Sequence, residues 1–415
     1  VETEAVEIVE VDADAPLSTG AGAYLRELAD AVDEAVDRVV DSFDFAPEYV
    51  DGAIGQLANA SAVGLLANTG RGGVSVVADG VVLAAGDAVS LSSEDGDVAA
   101  EIDGLLVSGE TAFSAEGDKV EATLAGSVFG AEAGVSIEAK RKAEVELDGV
   151  VRSTEGSAGR VAATEGEVEL HVEGQILSAG GVGLEVEAAR DAEVRIDGVV
   201  EGGLALTGVV DGARLFGGQE FEIEVRGAVS GGQAALSGSA AALSVEESFA
   251  AEVRLTVVGD AWVEAGFVGR ERDAAIRLGA GADIIEIEGN VIGDVHMGDG
   301  ADLVRIDRDG VVEGAINGGR GADVFQAGDL ADLFEMTFGA GSDVVQGFSF
   351  GDRFDFSALA DYNDDGAAAL LEMHFWDEGE DGVTLGYFDG VEEVELTIYG
   401  EELEQIDFDD VFIWV

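Results

Sequence analysis

Residues 143–151 read Ala-Glu-Val-Glu-Leu-Asp-Gly-Val-Val, and residues 192–200 read Ala-Glu-Val-Arg-Ile-Asp-Gly-Val-Val. In both, apolar and polar residues alternate, a glycine stops the run, and an apolar pair follows. Alternation with period two marks a strand with one buried face, and an interrupting glycine marks a bend. The pattern recurs as VSVVADG (74–80), VAAEIDG (98–104), VEATLAG (120–126), VELHVEG (168–174) and FEIEVRG (221–227). From Gly80 to Gly198 the glycines are 24, 22, 23, 25 and 24 residues apart. One such unit cannot bury its own apolar face; stacked units bury a continuous column and satisfy each other's backbone groups. The expected fold is all-β, a parallel β-solenoid (β-helix or β-roll), with residues 51–275 forming its 22–25-residue repeats. Residues 74–350 would supply about twelve coils, about 60 Å in length at ~4.8 Å per coil. The competing fold is an antiparallel sandwich, whose hairpin turns would recur about every 8–12 residues. The Asp-Gly pairs at 103–104, 148–149 and 197–198 are spaced more widely than that.

Composition narrows the function. The chain has 415 residues, 61 of them Gly and only 2 Pro, and its 47% hydrophobic content sets it apart from a disordered acidic tail. Its net charge is −66. Nucleic acid is excluded as a partner, because phosphate contacts need Lys and Arg, and anionic membrane surfaces are disfavoured for the same reason. Cations are the natural counter-partners, and divalent ions or salt would screen the self-repulsion. With no cysteine there is no disulfide, zinc-thiolate site or thiol nucleophile. No apolar run is long enough to span a membrane, so no membrane insertion is expected. The chain begins at Val1 rather than Met, as a processed or truncated N-terminus would.

Residues 1–50 read differently. The acidic stretch 1–13 carries Val6, Ile8, Val9 and Val11 as a candidate strand. In 21–43, Leu25, Leu28, Val32, Val36, Val39 and Phe43 fall at helical steps and form one apolar stripe. This segment is expected to cap the open end of the solenoid, or to dock on a neighbouring molecule.

Within 276–350, four related turns stand one repeat apart: Gly279-Ala-Gly281-Ala-Asp283, Gly298-Asp299-Gly300-Ala-Asp302, Gly319-Arg-Gly321-Ala-Asp323 and Gly339-Ala-Gly341-Ser-Asp343. The aspartates are 19, 21 and 20 residues apart, which predicts a ladder along one edge. Glycine permits tight turns and close backbone approach. Turns whose carbonyls face outward, each followed by a carboxylate, would offer the hard oxygen donors that Ca²⁺ takes in sets of about six to eight. One turn supplies too few, so ions would be shared between successive turns. The other edge carries ordinary turns such as EGNVIGD (288–294) and RDGVVEGA (308–315), which predicts a single column of sites. Asp97, Asp118 and Asp191 precede their strands by a similar offset and read as solvated turn residues.

GGRGADVFQ (318–326) matches the nonapeptide Gly-Gly-x-Gly-x-Asp-x-hydrophobic-x of the repeats-in-toxin (RTX) calcium-binding family, and LGAGADIIE (278–286), MGDGADLVR (297–305) and FGAGSDVVQ (338–346) match with the first glycine replaced. GDRFDFSAL (351–359) resembles the segment that closes such rolls, and VELTIYGEELEQIDFDDVFIW (394–414) resembles their C-terminal ending. The resemblance covers about residues 276–415. It implies Ca²⁺ as the bound ion, type I secretion directed by the C-terminal part, folding by calcium outside the cell, and a bacterial extracellular or cell-surface location. Residues 351–415 are then expected to be a C-terminal β cap. This chain departs from the family in repeating about every twenty residues rather than every nine.

Nothing indicates an enzyme. His171, His296 and His374 are scattered, and neither a His-Glu-x-x-His zinc motif nor a Gly-x-Ser-x-Gly elbow occurs. Lys140-Arg141-Lys142 reads as a basic loop tip. The expected function is a secreted calcium-binding structural protein that assembles into a homo-oligomer or polymer, as a surface layer, filament or matrix component. The alternatives are an adhesin for cell-surface glycans and a polysaccharide-active β-helix enzyme.

Overall fold

A computed structural model describes residues 65–69, 72–84, 86–179, 182–208, 220–231, 243–246, 252–259, 261–265, 267–268, 271–272, 274–328, 332–335, 341–349, 351–356, 374–377, 382–388, 393–400, 403 and 412–413. The strand and helix expected in residues 1–50 lie outside the described residues. Among those described, the chain is all-β and holds no α-helix. Thirty-five strands join one large sheet, and its pairings are parallel except near the C-terminus.

The pairing follows the sequence repeat and forms three ladders. The first runs from Glu167–Val172 through Ala192–Ile196, Glu220–Val225, Glu252–Val257, Ile284–Ile287, Leu303–Ile306, Val324–Gln326 and Asp343–Phe348 to Glu393–Gly400. The second runs from Val150–Ser153 through Gln175–Ser178, Val199–Gly202, Ala228–Gly231, Trp262–Glu264 and Asn290–Ile292 to Val311–Glu313. The third links Gly159–Ala163 through Leu184–Ala188, Leu204–Gly208, Leu243–Glu246, Ala274–Arg277, Asp294–His296, Ala315–Asn317, Leu333–Glu335 and Arg353–Asp355 to Phe412–Ile413. Upstream, the long strands Val74–Ala84 and Val98–Ser108 each pass through the first two ladders, and Thr111–Leu124 and Ala133–Leu147 through the third and first. A strand therefore pairs with its counterpart one repeat away, and the antiparallel sandwich is excluded. The antiparallel pairs among the described residues are Phe267–Val268 with Glu271–Arg272, and the run His374–Asp377, Gly382–Phe388, Glu393–Gly400 at the C-terminal end.

Alternation dictates what each ladder buries. In the first, Ile102, Leu124, Leu147, Val172, Ile196 and Val225 stack in register, each almost wholly buried. Burial of each such side chain contributes about 1.5–3 kcal/mol. The alternate residues, such as Glu144, Glu169, Glu193 and Glu222, face outward. The repeat widens to 29 residues from Ala192 to Phe221 and 32 from Phe221 to Val253, yet the strands stay in register. The extra length falls in the connections, where longer loops cost little.

Past Val311–Glu313 the second ladder gains no further described strand, and the chain passes from Val324–Gln326 in the first ladder to Leu333–Glu335 in the third. The core there is aromatic. Phe325, Phe334, Phe354 and Phe348 form a chain of ring contacts at 5.3–5.5 Å between centroids.

Candidate metal centre

Strand register decides where the aspartates sit. Ile284 lies opposite Arg254, which places Asp283 opposite Val253, and the column continues through Asp302, Asp323 and Asp343. Traced toward the N-terminus, the same column is Val253, Phe221, Ala192, Val168, Ala143, Val120, Val98. Four carboxylates thus occupy a core position that every earlier repeat fills with an apolar side chain. Beyond them Leu396 resumes the apolar column. Asp283, Asp302, Asp323 and Asp343 are only 1–3% exposed.

The carboxylates join the ladder. The backbone N–H of Val253 donates to Oδ1 of Asp283 (2.9 Å), that of Asp283 to Asp302 (2.9 Å), that of Asp302 to Asp323 (2.9 Å), and that of Asp323 to Asp343 (3.1 Å). In apolar repeats the corresponding N–H goes to a backbone carbonyl: Val74 to Asp97 O (2.9 Å) and Val168 to Asp191 O (3.0 Å). An aspartate side chain has therefore taken over an acceptor role that the main chain fills elsewhere.

Oδ2 of Asp323 is buried and accepts no hydrogen bond. Burial pushes the Asp323 carboxyl up to about 6, against the opposing effect of the Asp302 N–H. A buried carboxylate with one oxygen unserved is costly, and a nearby cation relieves that cost. Among the described residues no group of three or more acidic or histidine side chains is placed to hold a metal. An ion beside this column would accordingly draw on backbone oxygens as well.

The glycines explain the close stacking of the turns. Ala280–Gly281, Asp299–Gly300 and Arg320–Gly321 pair in parallel as a small three-stranded sheet. A Cβ on Gly321 would overlap Gly300 O, and φ there is +142°, a backbone conformation that side chains resist. A Cβ on Gly341 would likewise overlap Gly321 O. The sequence reading, in which the glycine carbonyls face outward together, needs correction at two of them. Gly279 O accepts the N–H of Asp299 (2.9 Å) and Gly298 O that of Arg320 (2.8 Å), so both serve the ladder. Asp299 does not join the buried column; it is half-buried, with Arg320 Nη1 4.0 Å away. Gly339 lies outside the described residues.

The leading glycine of the one full nonapeptide has a packing cause. A Cβ on Gly318 would overlap Oδ2 of Asp323 and come within 2.9 Å of the Phe325 ring. Two of the other turns place Leu278 before Ile285 and Met297 before Val304 at these two positions, all four residues buried. A small residue at the turn thus accompanies the large ring seven positions on.

Two buried aspartates escaped the sequence reading. Asp332 and Asp352 stand at the entry to the third ladder, on an edge expected to carry ordinary turns. The N–H of Asp332 donates to Asp352 Oδ1 (2.9 Å), Gly328 N to Asp332 Oδ2 (3.1 Å), and Ser349 N to Asp352 Oδ2 (2.7 Å). Burial, and then the charge of Asp352, push Asp332 up to about 7. The signal was the half-motif Asp-x-Phe, shared by Asp332-Leu-Phe334, Asp352-Arg-Phe354 and Asp323-Val-Phe325. Asp97 and Asp191, by contrast, sit one residue before the column and are exposed, because a one-residue offset turns a side chain to the other face.

Lys140-Arg141-Lys142 is no loop tip. It lies within strand Ala133–Leu147, where Lys140 Nζ donates to Glu94 O (2.7 Å), Arg141 pairs with Asp118, and Lys142 pairs with Glu169 (2.7 Å). Each cation reaches a different repeat, Lys140 two repeats back and Arg141 and Lys142 one repeat to either side, and ties repeats together across an acidic face.

Comparison of the chain with protein-family models, curated proteins and solved structures found no match.

Proposed function

We propose that this chain is a secreted calcium-binding structural protein, with its three ladders wound as a parallel β-solenoid and its copies held together in a calcium-dependent assembly. The observation that carries the reading is Oδ2 of Asp323, a buried carboxylate oxygen without a hydrogen-bond donor inside a column of four buried carboxylates. Asp283, Asp302, Asp323 and Asp343, with backbone oxygens of the stacked glycine turns, would hold the ions. Ca²⁺ fits this set because it accepts hard oxygen donors, carboxylate and carbonyl alike, in flexible geometry. The bound ion would supply the positive charge that lets these carboxylates stay ionised inside the core. Because it binds only the folded form, it would couple folding to calcium.

The resemblance to RTX repeats supports an extracellular setting, where calcium is abundant, and the C-terminal antiparallel strands fit a cap. The charge supports a dependence of assembly on divalent ions: a chain at −66 repels its copies until such ions screen or bridge it. Light scattering for the assembly and circular dichroism for the fold, each with calcium and then with chelator, test the reading. An assembly that dissociates on chelation is expected. A monomer under both conditions would remove the assembly, and unchanged folding on chelation would remove the ion.

A further inference from the structure

A different face of the molecule carries a second inference, independent of calcium. On the second ladder, the outward position next to the corner runs in register from Leu105 through Ser127, Val150 and onward to Val311. No described strand along this run places a charged residue there, although 26% of the chain is charged and the first ladder's outward face is lined with glutamates. Beside the column runs a strip of glycines, Gly126, Gly149, Gly174, Gly198 and Gly227, stacked so closely that a Cβ on any of them would overlap backbone of the repeat before. The strip therefore presents bare backbone. The charges that border it are mainly acidic, Asp148, Glu173 and Asp197 before the glycines and Glu201, Glu264 and Glu313 beyond the column, with Arg226 and Arg152 the one cation on each side.

Trp262 stands in this column and is 41% exposed, a rare state for a large apolar side chain among the described residues. Its Nε1–H donates to Glu264 Oε2 at 3.1 Å, which fixes the ring. Its register neighbours are Ala228 and Asn290, one too small to cover the indole and the other carrying an amide.

We propose that this column is a binding site for a neutral polysaccharide chain, with Trp262 as the stacking platform. The charge pattern selects the ligand. An uncharged polymer desolvates no ionised group in the column, a polyanion is repelled by the net acidic borders, and a polycation would find far more charge on the glutamate-rich first ladder. A sugar ring lays its C–H face on the indole while its hydroxyls meet the Asn290 amide one strand away, and a ring further along the same chain would meet Gln175, three strands to the other side. Adjacent strands bring such groups along one line at about 4.8 Å steps, comparable to the advance of a sugar chain.

The test is affinity electrophoresis of the full chain, with calcium present, through native gels containing dextran, xyloglucan or galactomannan, and hyaluronate as the acidic polymer. Retardation by at least one neutral polymer and none by hyaluronate is expected. Trp262→Ala should weaken that retardation about tenfold or more, as loss of a central aromatic anchor does, and Trp262→Phe should restore part of it. Val199→Glu, which puts a charge into the column, should also weaken it. No retardation by any neutral polymer, equal retardation by hyaluronate, or an unchanged Trp262→Ala protein would overturn the proposal. So would light scattering in which Trp262→Ala separates copies of the chain while no glycan binds, since the column would then be a contact between copies.

Discussion

The backbone N–H of Asp302 donates to Oδ1 of Asp323, 2.9 Å away and 21 residues further along the chain. One atom of the Asp323 carboxylate thus belongs to the β-ladder, while the other, Oδ2, is buried without a hydrogen-bond donor. Structure and ion binding can be separated at this residue, because amide and carboxylate both offer an acceptor at Oδ1.

Asp323→Ala and Asp323→Asn are therefore expected to differ. The alanine variant strands the Asp302 N–H and loses about 1–3 kcal/mol, the cost of an unsatisfied buried donor. The asparagine variant keeps that acceptor and its calcium-free stability, yet loses most of the calcium-induced rise in Tm. Thermal melts with calcium and with chelator read both effects; an asparagine variant with the full calcium shift would sink the metal assignment.

Gly318 and Phe325 are expected to behave as one packing unit. Gly318→Met alone should cost about 1–3 kcal/mol through overpacking. Adding Phe325→Val recreates the Met297 and Val304 pair of the preceding repeat and should recover much of the loss. A double-mutant cycle by urea unfolding measures the coupling. Purely additive changes would mean that the two side chains do not share one space.

Without calcium, stability is expected to fall as pH rises from about 4 to about 7. The folded Asp332 carboxyl is raised to about 7, above its unfolded value of 3.8. Between those values the folded state holds more protons than the unfolded one, so its stability is greatest at low pH and is lost as pH passes through about 7. Asp332→Asn should flatten this dependence in chelator. General acid stabilisation from the net negative charge would persist in that variant, so an unchanged slope would assign the effect to the surface rather than to Asp332.

Chelation is expected to loosen residues 276–350 more than residues 74–230, because the aspartate column replaces apolar packing only in the former. Hydrogen exchange with and without calcium reads this directly. Equal protection throughout the chelated protein would contradict it.

Much of this was legible in the residues alone. The alternation in Ala143–Leu147 and its echo in Ala192–Ile196 identified half-buried strands, and the spacing of their glycines placed like strands one repeat apart. The chemistry of the Gly-x-Gly-x-Asp turns pointed to hard cations because glycine geometry and carboxylate charge are local properties. Register was not legible, and it decided the rest. Asp191 and Asp283 stand at nearly the same offset from their strands, yet one is exposed and the other lies in the core, because a one-residue shift reverses the face. Only the tertiary structure opposed Gly318 to the Phe325 ring, drew Asp332 and Asp352 inside on a second edge, and left Trp262 partly exposed in an uncharged column. Those outcomes depend on which atoms of neighbouring repeats meet across about 4.8 Å, a distance set by the stacked backbone and absent from any single repeat.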